Sequence, residues 1–113
     1  MTTTDTISSL PSLAFNSEKT SSFDANGEGP GKQSALLVEA LSHHANTLAE
    51  GGTADLVSIS MDVTGTPLGH GQANIESDVD RQTRTLLFIG AELSSKAGLH
   101  TRATAIFRIH RDE

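Results

Sequence analysis

The sequence contains no cysteine, no tryptophan and no tyrosine. Without cysteine there is no disulfide to staple the fold and no thiolate to act as nucleophile or metal ligand, a usage that suits a reducing cytoplasm. Aromatic residues make up 4% and hydrophobic residues 35% of the 113 positions. One domain fits that length, but large apolar side chains are few, so stability shared with a partner subunit is expected. No run approaches the ~18 apolar residues of a membrane span. The opening MTTTDTISSLPSLAF has neither the basic start nor the hydrophobic stretch of an export signal. Positive charge is scarce as well. The formal net charge of −6 argues against a nucleic-acid partner, because such binding depends on phosphate-neutralising Lys and Arg. The deficit is uneven: through Asp80 eleven acids stand against two bases, Lys19 and Lys32, and from Arg81 onward six bases stand against three acids. The C-terminal third reads as an anion-binding edge or as charge-balanced solvated surface.

What is present is organised around one amphipathic stretch, Pro30–Glu50. At roughly 100° per residue Leu37, Val38, Leu41, Ala45 and Leu48 share one side of a helix, with Lys32, Glu39, Ser42, Asn46 and Glu50 on the other. Pro30 suits a first turn, where its missing N–H has no intrahelical partner, and Gly51-Gly52 supplies the left-handed stop. Residues 1–14 read as a disordered leader containing a possible start of a short strand at Ser12–Phe15, and residues 15–113 as a single domain. Phe23–Gly31 reads as a glycine-rich loop feeding the helix. Its continuation GEGPGKQS does not satisfy a phosphate loop: the first glycine of that motif falls on Asn26, its Ser/Thr falls on Gln33, and no apolar strand precedes it.

After Gly52 the period changes from 3.6 to 2. Ala54–Val63 alternates as a half-buried strand, Gly71–Val79 as a mostly polar one, and Asp80-Arg81-Gln82 reads as a turn. Arg84–Ser94 and Leu99–His110 form a hairpin about Ser95–Gly98. In the last strand Leu99, Thr101, Ala103, Ala105, Phe107 and Ile109 share one face, and His100, Arg102, Thr104, Arg108 and His110 the other.

One helix followed by a long antiparallel meander resembles the α+β hotdog fold, an antiparallel sheet wrapped around a central helix. VSISMDVTGTPLGHG, with its proline-containing turn and downstream glycine, and ANIESDVDRQTRTLLFIGAELSSKAGLHTRATAIFRI, with its AGL hairpin loop, carry the resemblance over Gly31–Ile109. The cone-shaped α+β roll of the ketosteroid isomerases is the alternative architecture, although it usually carries more helices. Within the hotdog superfamily the chain looks most like the acyl-CoA thioesterases of the phenylacetate-pathway and 4-hydroxybenzoyl type, which place a His-Gly-Gly at the helix start and an acid about two turns later. Here Gly31-Lys32-Gln33 and Glu39 take those places. No histidine precedes Gly31, and Lys32 stands where the second glycine would be.

The resemblance implies hydrolysis of an acyl-CoA thioester by a cytoplasmic homodimer or homotetramer with no cofactor and no metal. Gly31, Lys32 and Gln33 would hold the oxyanion with N–H groups at a helix N-terminus, where unpaired donors and the macrodipole favour negative charge. Glu39 would be base or nucleophile. It lies nearly opposite Leu41 and Leu48, so it faces either solvent or a second subunit. Asn26, and Asp24 near it, would orient substrate or water, and Ser42 would hydrogen-bond the acid. Coenzyme A phosphates would meet Arg81 and Arg84 first, then Lys96 and Arg102. His43-His44 cannot chelate one ion, since adjacent helical side chains diverge by about 100°. The alternative function is a noncatalytic hotdog module that binds an acyl ligand or acts as an oligomeric partner. Each residue also has an ordinary reading: Glu39, Ser42 and the basic residues as solvated surface, and Asn26 as part of an Asn-Gly turn.

Overall fold

The computed structural model describes residues 10–111. Its elements are β1 (Ala14–Phe15), β2 (Thr20–Asn26), α1 (Pro30–Leu48), β3 (Thr53–Val63), β4 (His70–Gln82), β5 (Leu86–Ser95) and β6 (Gly98–His110). The strands form one six-stranded sheet in the order β1-β2-β4-β5-β6-β3, and every pairing is antiparallel.

The helix lies on one face of that sheet. Leu36, Leu37, Ala40, Leu41 and Ala45 are buried against Ile75, Leu87, Ile89, Leu93, Ala103, Ala105, Phe107 and Ile109. Small residues on β6 let the helix come close, and Phe107, fully buried, supplies the largest single block of core. At the C-terminal end Glu50 and Gly51 take positive φ, 53° and 91°, which turns the chain into β3. Gly52 then passes so near the β6 backbone that a Cβ there would sit 1.8 Å from the His110 carbonyl oxygen.

Several boundaries differ from the sequence reading. Residues 1–9 of the expected leader lie outside the described residues, Leu13 already packs against the core, and Ala14 pairs with Ser22. The expected loop at Phe23 is strand as far as Asn26. Ser21, Phe23 and Ala25 face inward in β2, a period-2 pattern masked by the small polar residues between them. Strand β4 runs on through Asp80-Arg81-Gln82, and the turn falls after Gln82. Two irregularities shift parity. A bulge at Val57 brings Leu56 onto the face of Ile59, Met61 and Val63. Another beside Ser94 takes His100 off the face it shares with Arg102 by alternation, and His100 is fully buried.

Strand β3 is an edge. Eleven residues long, it pairs with β6 on one side only. Leu56, Ile59, Met61 and Val63 pair with Phe107, Ala105, Ala103 and Thr101, so they lie on the helix side of the sheet. The helix nevertheless covers them incompletely, leaving Leu56 41% and Val63 54% exposed.

His44 brings a polar ring into the buried midsection of the helix. Ser77 Oγ donates to the Lys19 carbonyl at 3.3 Å, so His44 Nδ1–H is the donor in its 2.7 Å bond to Ser77. Burial holds its imidazole below the ordinary value of 6.5, and the Lys19 cation pushes the same way, against weaker opposition from Glu18 and Asp78. Because the folded state prefers the neutral ring, this contribution to stability is intact above pH ~6.5 and is lost as pH falls through the lowered folded value. Thermal melts should show a falling midpoint below pH ~6.5, and His44→Gln should flatten that part of the profile. An equally steep fall in His44→Gln would assign it to other groups. Phe107→Ala should cost about 3–5 kcal/mol in denaturant unfolding.

Candidate active site

The start of α1 is built unusually. Gly29 is the N-cap residue, no side chain caps it, and the first turn contains no acid. Pro30 has no N–H to offer. The first intrahelical bond runs from Gln33 N–H to the Gly29 carbonyl at 3.0 Å, so Gln33 N–H is committed within the helix. Of the three N–H groups expected to face an oxyanion, that of Gln33 is thus taken up within the helix, and those of Gly31 and Lys32 come before that bond in the first turn.

The Gln33 side chain is committed as well. It is 4% exposed, its Nε2 donates to the Glu28 carbonyl at 2.8 Å, and its Oε1 accepts from Thr101 Oγ1 on β6. One buried amide thus ties the helix start to the preceding loop and to the sheet. Gln33 positions the site and is not a free donor in it.

In front of the helix start is an open cleft whose walls include Glu28, Pro30, Gln33, Val63, Pro67 and Leu68. Val63 ends the edge strand, and the far wall is the β3–β4 loop. That loop is pinned to β6 through Thr64, whose N–H donates to the His100 carbonyl at 3.1 Å and whose Oγ1 donates to the Leu99 carbonyl at 2.7 Å. Among the described residues Glu28 is the one charged member of the lining. It is 8% exposed, and its Oε1 accepts from Asn26 N–H at 2.7 Å. Sequence reading passed over it. The available signal was an acid two residues before a helix-starting proline, where the macrodipole favours negative charge.

The remaining expected residues are spread out. Asn26 ends β2 beside the cleft with its N–H on Glu28, and Asp24 is exposed in β2 opposite Gln72. Glu39 is exposed on α1. Eight residues of rise place it about 12 Å along the axis from Gly31, too far to work on a carbonyl held by Gly31 of its own chain. Ser42, half-buried one turn further on, has its carbonyl bonded by Asn46 Nδ2 at 2.9 Å. His43 stacks on Phe15 with ring centroids 4.0 Å apart, while His44 points to Ser77, so the two rings diverge.

Of the four basic residues, Lys96 and Arg102 lie toward the helix-start end, Arg102 directly after the Thr101 that bonds Gln33 but on the sheet face turned away from the helix. Lys96 lines a second cleft, with Leu68 forming the wall shared by both. Arg81 and Arg84 flank the far end of β4. There Ile109 N–H bonds the Thr85 carbonyl and His110 pairs with Thr53 just beyond the helix C-terminus. Arg102 points away from the helix and is held by Glu92 at 2.9 Å through Nε and 2.5 Å through Nη2. The structure does not bring these three arginines to the helix start of the same chain.

No protein-family model matches the chain, and no curated protein aligns with it at significant similarity. Solved structures do match. A phenylacetic acid degradation-related protein of Ralstonia eutropha superposes with a TM-score of 0.74 at 17% identity, over 88% of this chain and 84% of its own. A mutant form of the phenylacetic acid degradation protein PaaI from Thermus thermophilus gives 0.74 at 18% identity, over 93% and 98%. A mutant thioesterase enzyme of Staphylococcus aureus gives 0.71 at 10%, over 86% and 90%. At these identities the likeness establishes architecture: one helix on a six-stranded antiparallel sheet in the hotdog arrangement. Among the described residues no helix is long and apolar enough to cross a membrane.

The bonds made by Gln33 yield a direct test. Gln33→Ala leaves the buried Thr101 hydroxyl and the Glu28 carbonyl without their partner and should cost about 1–3 kcal/mol in denaturant unfolding. A loss below about 0.5 kcal/mol would show that water replaces the amide.

Proposed function

We propose that the chain is a cytoplasmic acyl-CoA thioesterase assembled as a homodimer or a higher homo-oligomer. The observation that carries this reading is the start of α1, which has no side-chain cap and stands beside a cleft with apolar walls at Val63, Pro67 and Leu68. Gly31 N–H is the first oxyanion donor there, and Lys32 N–H the second. Thioester cleavage develops negative charge on the carbonyl oxygen, and oriented backbone donors backed by a helix dipole stabilise it more in the transition state than in the substrate. Glu39 serves as the base that directs water, or as the nucleophile, from the helix of a second copy. Its distance of about 12 Å from Gly31 along the helix of its own chain supports that arrangement, and Ser42 beside it steadies the carboxylate. The Glu28 carboxylate, held by Asn26, lies in the cleft as a second acid.

The second copy has a place to dock. A long unpaired strand edge is a template for pairing, and β3 combines such an edge with the partly covered apolar side chains of Leu56, Ile59, Met61 and Val63. Continuing the sheet through β3 would cover these residues and set Val63, at the cleft, next to the other chain. Lys96 is then the first choice for a coenzyme A phosphate, with Arg81, Arg84 and Arg102 available only as donated by other copies.

Lys32 supports a second reading, in which the same cleft binds an acyl ligand without cleaving it. A side chain at the place of the second glycine narrows the backbone's approach to a carbonyl. The two readings separate in one assay of thiol release over a panel of acyl-CoA substrates. The thioesterase should turn over at least one of them, and Glu39→Gln should lower kcat by about 10²–10⁴ with little change in KM. Saturable binding with no release in the wild type selects the binding module, and turnover untouched in Glu39→Gln removes that residue from the mechanism. In sedimentation the wild type should run at twice 11.9 kDa or a higher multiple, and the double variant Leu56→Lys, Val63→Lys at the monomer mass. A wild-type monomer would contradict the assembly.

A further inference from the structure

One serine on the wall of the second cleft, Ser95, is backed by a buried histidine and a backbone carbonyl that lie behind the cleft. His100 Nδ1 lies 2.8 Å from the Thr66 carbonyl oxygen, and its Nε2 lies 2.6 Å from Ser95 Oγ. A carbonyl only accepts, so the ring proton is on Nδ1 and the Nε2 lone pair faces the serine. Ser95 O–H therefore donates to His100. Of the two acceptor positions on Ser95 Oγ, one takes Ala97 N–H at 3.2 Å. The other is left for the cleft that Ser95 lines together with Lys96 and Asn74. His100 is fully buried and held at both ring nitrogens, so its orientation is set by the β3–β4 loop on one side and the β5–β6 turn on the other.

We propose that Ser95 is a nucleophile activated by His100, with the Thr66 carbonyl orienting the base, and that this cleft takes small activated acyl esters. Nucleophile, base and orienting group within hydrogen-bond reach are the general requirement for such chemistry. Ser95 Oγ attacks the acyl carbon while its proton passes to His100 Nε2. Collapse of the tetrahedral adduct breaks the bond to the leaving oxygen, which departs with that proton as the free alcohol or phenol and leaves an ester on Ser95. Water then attacks the ester, giving a proton to His100 Nε2; the acyl–Oγ bond breaks, that proton returns to Ser95 Oγ, and the carboxylic acid leaves. Lys96, on the rim, supplies positive charge for the tetrahedral oxyanion. The site uses neither the start of α1 nor Glu39, so it stands or falls apart from the thioesterase reading.

The test is to mix the full chain with p-nitrophenyl acetate, follow the initial burst of nitrophenol, and map the acetyl group by mass spectrometry of peptides. One acetyl per chain on Ser95 is expected. Ser95→Ala, folded by circular dichroism, should lose the burst, and His100→Gln should slow it about 10²-fold or more. If His100→Gln does not fold, the mapped adduct and Ser95→Ala decide the matter. Absence of acetyl on Ser95, acetylation at other residues alone, or an undiminished burst in folded Ser95→Ala overturns the proposal. In the unmodified chain, no acetyl on Ser95 with coenzyme A thioester turnover present refutes only the Ser95 site, and the reverse result refutes only the helix-terminal one.

Discussion

The buried side chain of Gln33 is the constraint on which the functional end of the molecule depends. Apolar packing is non-directional, so the Leu, Ile and Ala contacts set the helix's position on the sheet less specifically than its buried polar ties, which His44 makes at midsection and Gln33 at the start. The Gln33 amide bonds Thr101 in β6 and the Glu28 carbonyl in the approach loop. With the helix start fixed against the sheet, the first turn keeps its place beside the cleft whatever the rest of the helix does. The opposite wall is fixed independently, through Thr64 and His100 to the start of β6. Both walls of the cleft are therefore referred to a single short stretch of β6, from Leu99 to Thr101.

A second constraint comes from what the helix does not cover. Burial of α1 is complete over β4, β5 and β6, where Ile75, Leu87 and Ala103 are at most 1% exposed. It is incomplete over β3, which keeps an open edge and an apolar underside. Monomeric proteins protect such edges with charge, proline or shortness, and β3 has none of these on its helix side. The features that leave the isolated chain unfinished are the ones that would place a neighbouring helix beside the cleft, which links stability to function in this reading.

Much of the architecture was legible in the sequence. The helix announced itself by period and by Pro30 and Gly51, and the alternation of Ala103, Ala105 and Phe107 marked the face that meets it. Strand β2 was hidden because Ser21 and Ser22 lack the β-branched and aromatic signature, and its pairing with β4 supplies what its composition does not. Bulges were invisible, since one inserted residue leaves local composition unchanged while moving Leu56 and His100 to the other side of the sheet. At the site, the helix start was legible as a place, but the roles of its residues were not. Gln33 was expected as a donor and serves as a brace. Glu28 was overlooked because its burial depends on how the Gly27–Gly29 loop folds back. The basic residues separated by strand end for Arg81 and Arg84 and by sheet face for Arg102, long-range properties of the meander that charge counting cannot see.

On the proposed function, a thioester carbonyl sits at the start of α1. The most direct measurement is an amide chemical-shift titration of the isotopically labelled protein with a non-hydrolysable thioether analogue of an acyl-CoA. The largest shifts should fall at the Gly31 and Lys32 amides, with smaller ones at Glu28, Thr66 and Leu68. Shifts confined to the outer face of the sheet around Glu76 and Arg102, or none at saturating ligand, would contradict that placement.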